Sequence, residues 1–87
     1  MQQDENKKLI QIAVSKALKK FRKDKSNYML GLEYGISTSL LSHLDRGLKD
    51  PQITTIFKLS QVFGIAPHEF VLEIEKNLSE NINLIDE

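Results

Sequence analysis

Apolar residues recur at steps of three and four positions along most of this chain, and glycine or proline interrupts the pattern at short intervals. In the first quarter of the chain the apolar stripe consists of Leu9, Ile10, Ala13, Val14, Ala17, Leu18 and Phe21. This spacing places the stripe on one side of an α-helix, which turns once every 3.6 residues. No two segments alternate as paired β-strands do. The sequence therefore predicts an all-α fold.

Five helices are predicted, most of them bounded by a capping or breaking residue. The first begins near Asp4 or Glu5, and we expect Asp4 to be its N-cap. Glycines at positions 35, 47 and 64 each follow a predicted last turn, where a backbone with positive φ often ends a helix. The expected later helices span about 27–34, capped by Ser26, about 38–46, capped by Ser37, 53–63, and a fifth that starts at Pro67 and carries Phe70, Val71, Ile74 and Leu78.

Length and composition limit the chain to one small soluble domain. Its 87 residues contain no cysteine, which excludes a disulfide framework and a cysteine-based zinc site. We expect residues 1–78 to form the domain and residues 79–87 an acidic tail. No apolar run suits a membrane span or a secretory signal, so a cytoplasmic location without membrane contact is expected.

Charge is distributed very unevenly although the formal net charge is zero. Residues 1–25 carry eight Lys/Arg against three Asp/Glu, and residues 67–87 carry one Lys against six acids. The zero total argues against a nucleic-acid partner, whereas a basic end is a recognised sign of one. Solvated helix faces would give the same numbers.

The segment 27–47 contains two predicted short helices joined by a glycine turn, which is the layout of a helix-turn-helix. On a helical wheel of the second helix, the polar residues Thr38, Ser39, Ser42, His43 and Arg46 fall within about 140°. Its three leucines occupy the opposite side. Hydroxyl, imidazole and guanidinium groups can bond base edges or phosphates, although any amphipathic surface helix shows a similar division.

From Leu18 to Val71 the chain resembles the phage-repressor-like helix-turn-helix family, which includes lambda repressor, Cro and Xre. The resemblance is carried by Leu18-x-x-Phe21-Arg22, Gly35-Ile36-Ser37, Leu41-Ser42-x-Leu44-Asp45-x-Gly47, Pro51 before an apolar helix, and Phe63-Gly64-Ile65-x-Pro67-x-Glu69-Phe70. It implies a five-helix bundle, here with an extended first helix and a C-terminal helical extension. It also implies a dimeric, sequence-specific transcriptional repressor or autoregulatory antitoxin, without cofactor or metal, whose third helix enters the major groove of double-stranded DNA. A toxin or another regulatory protein would be a further partner.

The resemblance also assigns roles to individual residues. Its base-reading positions fall on Thr38, Ser39, Ser42 and His43. Its phosphate-contacting positions fall on Asn27, Arg46 and Lys49. The lysine-rich end of the first helix adds Lys25 and Lys23 as phosphate contacts by proximity, whereas we expect Lys7, Lys8 and Lys16 to be solvated. A structural ion pair between Arg22 and Asp45 is also implied.

Some positions depart from the family pattern. Family members commonly carry glutamine in place of Asn27, alanine in place of Gly31, and arginine or lysine on the reading face. The segment from Arg22 to Asn27 is also about two residues shorter than usual. Because no arginine or lysine occupies the four base-reading positions, we expect modest specificity or partial readout of DNA shape.

The alternative function is a protein-interaction module that keeps this fold without binding DNA. Ser42, His43 and Asp45 point in different directions on one helix, so they cannot form a catalytic relay, and no other motif indicates an enzyme. For a homodimer, the candidate contacts are the apolar residues near the C-terminus. These are Phe70, Ile74, Leu78, Ile82 and Ile85, which would otherwise close the core of the single chain.

Overall fold

The computed structural model describes residues 2–78 and 82–85, and these residues form five α-helices and no strand. The helices are α1 (Gln2–Arg22), α2 (Asn27–Tyr34), α3 (Thr38–Asp45), α4 (Ile53–Phe63) and α5 (Pro67–Lys76). Helix α1 packs on α3 and α5, α2 packs on α3, and α4 packs on α5. The all-α five-helix bundle predicted from the sequence is confirmed.

A single apolar core joins the helices. Its fully buried large side chains come from all five of them: Leu18, Leu30, Leu41, Leu44, Leu59 and Phe70. Three aromatic rings from α1, α4 and α5 meet at one end of the core, with Phe21 and Phe70 centroids 5.7 Å apart and Phe63 6.3 Å from each of them. This burial stabilises the bundle in the absence of any cysteine.

Local sequence signals place the starts and ends of the helices close to the predicted positions. Ser26 Oγ accepts a hydrogen bond from the Met29 amide at 3.1 Å, as predicted for the N-cap of α2. Helix α3 ends one residue before the predicted position, at Asp45. There the Leu48 amide donates to the His43 carbonyl at 2.9 Å, and Gly47 has φ +66°, which together make a Schellman motif.

Two predictions at the ends of the chain are wrong. Helix α1 begins at Gln2, so Asp4 lies inside the helix and is not its N-cap. Helix α5 ends at Lys76, which leaves Leu78 beyond it. Both differences fall at helix ends, whose positions depend on which backbone groups find hydrogen-bond partners as well as on residue propensity.

The apolar residues near the C-terminus divide between two environments. Phe70 is fully buried and Ile74 packs against the core, so these two residues close the core of the single chain. A dimer contact through Phe70 is therefore wrong. Ile85 is 72% exposed.

Candidate nucleic-acid interface

Helix α3 turns its leucines inward and its polar residues outward. Leu41 and Leu44 are fully buried, and Leu40 packs against the core from a half-buried position. The four positions expected to read bases form the outer side: Thr38, Ser39 and His43 are exposed, and Ser42 is half-buried. The result is a short helix with a continuous polar face that is open to a large partner.

The turn between α2 and α3 brings the two helices into close contact. Ser37 Oγ accepts a hydrogen bond from the Leu40 amide at 3.2 Å, which caps the first turn of α3. A Cβ placed on Gly31 would lie only 2.7 Å from Thr38 Cγ2 and 3.0 Å from the Ile36 carbonyl oxygen. The absence of a side chain at position 31 therefore allows α2 to approach the start of α3.

Helix α1 holds the C-terminal end of α3 at three points. Ser15 is buried, and its hydroxyl donates to the Asp45 carbonyl at 2.6 Å. Lys8 Nζ donates to the Gly47 carbonyl at 2.6 Å. Arg22 Nη1 lies 2.8 Å from Asp45 Oδ2. The first two contacts occupy backbone carbonyl groups at the end of α3 that lack intrahelical partners, and the third pairs Arg22 with the Asp45 carboxylate.

The Arg22–Asp45 pair implied by the family resemblance is formed, and it extends to α2. The two side chains are 15% and 19% exposed, and Arg22 Nη1 also donates to Asn27 Oδ1 at 2.9 Å. One guanidinium thus links the start of α2 to the end of α3. Asp45 Oδ1 is buried and has no hydrogen-bond partner among the described residues. Removing Arg22 would leave this carboxylate without its counter-charge.

The charged residues expected to contact phosphates differ in whether they already form an ion pair within the chain. Arg46 and Lys49 are exposed and form no ion pair with the described part of the chain. Lys25 Nζ instead lies 3.2 Å from Glu33 Oε2 and over the ring of Tyr34. The hydrogen bond to Glu33, and then the one to Tyr34, raises the pKa of Lys25. A phosphate would have to compete with Glu33 for this ammonium group.

Sequence reasoning missed Lys8 and Ser15 as supports of α3, and the expectation that Lys8 is simply solvated is wrong. The signal was present as a spacing of seven residues, since Lys8, Ser15 and Arg22 fall on one line along α1. Two helical turns separate each residue from the next, so all three meet the same neighbouring element. Periodicity alone does not say which element that is.

Two short helices around a glycine turn, the second one amphipathic with an open polar face, define a helix-turn-helix protein. Residues 16–70 match the family model described as Helix-turn-helix, of the Xre and lambda-repressor-like type. The chain belongs to this family of DNA-binding regulators, whose members are typically not enzymes. Searches of curated proteins and of solved structures find no match.

No helix within the described residues is long and apolar enough to cross a membrane. Nor do the described residues contain a group of three or more His, Asp or Glu side chains arranged to hold a metal ion.

Proposed function

We propose that this protein is a sequence-specific DNA-binding transcriptional regulator that inserts α3 into the major groove. The observation that carries the proposal is the exposed polar face of α3 on a helix held rigidly at both ends. Its N-terminal end packs against Gly31, and its C-terminal end is bonded to Lys8, Ser15 and Arg22 of α1. A reading helix must be held in this way, because its side chains contact base edges only in one register.

In this proposal, the exposed face of α3 contacts bases and the residues around it contact phosphates. Ser39, Ser42 and His43, with Thr38, would bond base edges through hydroxyl and imidazole groups. Arg46 and Lys49 would bind phosphates, together with the amide NH2 of Asn27, whose oxygen already accepts from Arg22. Lys25 would also bind a phosphate once its ion pair with Glu33 is broken.

The salt dependence follows from this short list of charges. Arg46, Lys49 and Lys25 offer three cations per protomer at phosphate positions, so a pair of protomers offers six. Each neutralised phosphate contributes about −0.9 to the slope of log K against log salt, so a dimer should show a slope of roughly −5. With so few phosphate contacts from each protomer, the affinity for DNA depends on both protomers binding at once.

We infer that the working form is a homodimer acting as a repressor, or as an autoregulatory antitoxin with a toxin as its partner. Helix-turn-helix dimers bind two half-sites about 34 Å apart, so the site should be an inverted repeat. Among apolar residues left exposed, Ile53 at 66% and Phe57 at 51% lie one turn apart on α4. Exposed apolar pairs of this kind are available for a symmetric contact.

The test is selection of bound sequences from random duplex DNA, followed by gel shift across a salt series. We expect one inverted repeat to be enriched and His43→Ala to weaken its binding about tenfold or more. Arg46→Glu combined with Lys49→Glu should abolish the complex. The matched control is Lys16→Glu with Lys19→Glu, which changes the net charge equally on exposed positions of α1. Selection that enriches no sequence, with no affinity gained at low salt, would refute the proposal.

A second candidate function is a protein-interaction module. It is favoured by Tyr28 and Leu32, which lie one turn apart on α2 and are 70% and 73% exposed. A protein partner would cover such a pair, whereas phosphates would not. Under this alternative, Arg46→Glu with Lys49→Glu leaves partner binding intact and Tyr28→Ser with Leu32→Ser removes it, which is the reverse of the DNA-binding expectation.

A further inference from the structure

A groove of about 610 Å³ lies between the N-terminal half of α1, α4 and α5. Apolar side chains from all three helices line it, among them Ile10, Val14, Ile56, Val71 and Ile74. At its edge Lys7 Nζ lies 3.5 Å from Asp50 Oδ2. No residue of α3 contributes to the lining. The groove is thus a surface separate from the proposed reading face, and the five helices do not fill it.

The C-terminal segment of the chain reaches this groove. Leu84 is one of the lining residues. The preceding residue, Asn83, accepts a hydrogen bond through its backbone oxygen from Asn6 Nδ2 of α1 at 2.8 Å. The next residue, Ile85, is 72% exposed, whereas Leu84 is 48% exposed. One apolar side chain directed to a groove, next to a backbone group bonded to its wall, is how an extended peptide docks.

We propose that the groove is the docking site for the chain's own C-terminal segment, with Leu84 as its anchor and within the same molecule. Residues 82–85 therefore belong to the folded unit, and Leu84 forms part of the wall of the groove. This inference does not depend on DNA binding, because it involves none of the residues assigned to the reading face.

The full-length protein allows a direct test, because it contains no cysteine. Glu87→Cys provides a single attachment point for a nitroxide, whose unpaired electron broadens nearby amide NMR signals. We expect selective loss of signal at Ile10, Val14 and Ile74. Adding Leu84→Ser should restore these signals, whereas the matched change Ile85→Ser should leave the loss in place. An unchanged spectrum elsewhere would show that each variant is folded.

Two results would overturn the proposal. One is the absence of selective broadening, or an equal response to Leu84→Ser and Ile85→Ser. The other comes from mixing nitroxide-labelled protein without isotope and isotope-labelled protein without nitroxide. Broadening in that mixture would assign the groove to the segment of a second copy instead. Loss of signal only within one molecule supports the assignment.

Discussion

The contact between Gly31 and Thr38 leads to a quantitative prediction about the turn of the helix-turn-helix. A Cβ at position 31 would lie 2.7 Å from Thr38 Cγ2 and 3.0 Å from the Ile36 carbonyl oxygen. Carbon atoms pack best at about 3.5–4.0 Å, so the threonine methyl would have to move by about 0.8 Å or more. Gly31→Ala therefore forces α2 and α3 apart or rotates Thr38.

Two opposing effects set the change in the free energy of unfolding caused by Gly31→Ala. Overpacking of this kind costs about 1–3 kcal/mol, whereas alanine in place of glycine inside a helix gains about 1 kcal/mol. We expect Gly31→Ala to lower the free energy of unfolding by about 1 kcal/mol, or the melting temperature by about 4–8 °C for a domain of this size. Thr38→Ser removes the methyl group, and the change by itself should stay within about 0.5 kcal/mol because Thr38 is exposed.

The double variant separates the steric explanation from others. With Thr38→Ser present, Gly31→Ala should recover at least about 1 kcal/mol, which appears as a coupling energy in a double-mutant cycle. The assay is urea unfolding of the four proteins, followed by circular dichroism. Ser39→Ala in place of Thr38→Ser is the control and should give no coupling. A coupling energy below about 0.3 kcal/mol would refute the argument, because the two residues would then be independent.

Three further predictions concern stability. Arg22→Ala should lower the free energy of unfolding by about 2–3 kcal/mol in denaturant titrations, because the mostly buried Asp45 loses its partner. Lys23→Gly should raise it by about 1 kcal/mol, since Lys23 has φ +56°, where glycine is unstrained. Lys20 lowers the pKa of Glu73 through a hydrogen bond. The stability from this pair is therefore present above the ordinary carboxyl pKa of 4.5 and lost as pH falls through the lower folded value, and Lys20→Met should flatten melting temperature against pH there.

Each of these three has a control and a contrary outcome. Arg46→Ala removes an exposed arginine and should change stability little; an equal effect of both arginines would contradict a special role for the buried pair. Lys19→Gly places glycine inside α1 and should destabilise, so stabilisation by both glycines would argue against backbone strain. Lys16→Met removes from α1 a charge that forms no ion pair with the residues the structure describes, and an identical pH profile with Lys20→Met would contradict the pairing.

Much of the secondary structure was predictable because its causes are local. The caps Ser26 and Ser37 and the glycines at 35, 47 and 64 act on backbone groups within a few residues. The polar face of α3 followed from periodicity as well, since Leu41 and Leu44 could only point inward together. The errors at Asp4 and Leu78 fall at helix ends, where local preference is weakest.

The contacts around the candidate site were less predictable, because each charged side chain there has several possible partners. Lys25 was expected to face a phosphate, yet Glu33 on the neighbouring helix lies 3.2 Å from its Nζ. Lys8 was expected to be solvated, yet its ammonium group reaches the Gly47 carbonyl, 39 positions away in sequence. A long flexible side chain can reach many positions, and the sequence does not rank them.

The sequence by itself determined five helices, their order, most of their ends and the polar face of α3. These properties follow from backbone sterics, capping and the 3.6-residue period, which operate over one or two turns. The tertiary structure alone decided that Phe70 closes the core, that Ser15 and Lys8 support the end of α3, and that Leu84 lies at the groove between α1 and α5. Those contacts join residues far apart in the chain, so they exist only once the helices have packed.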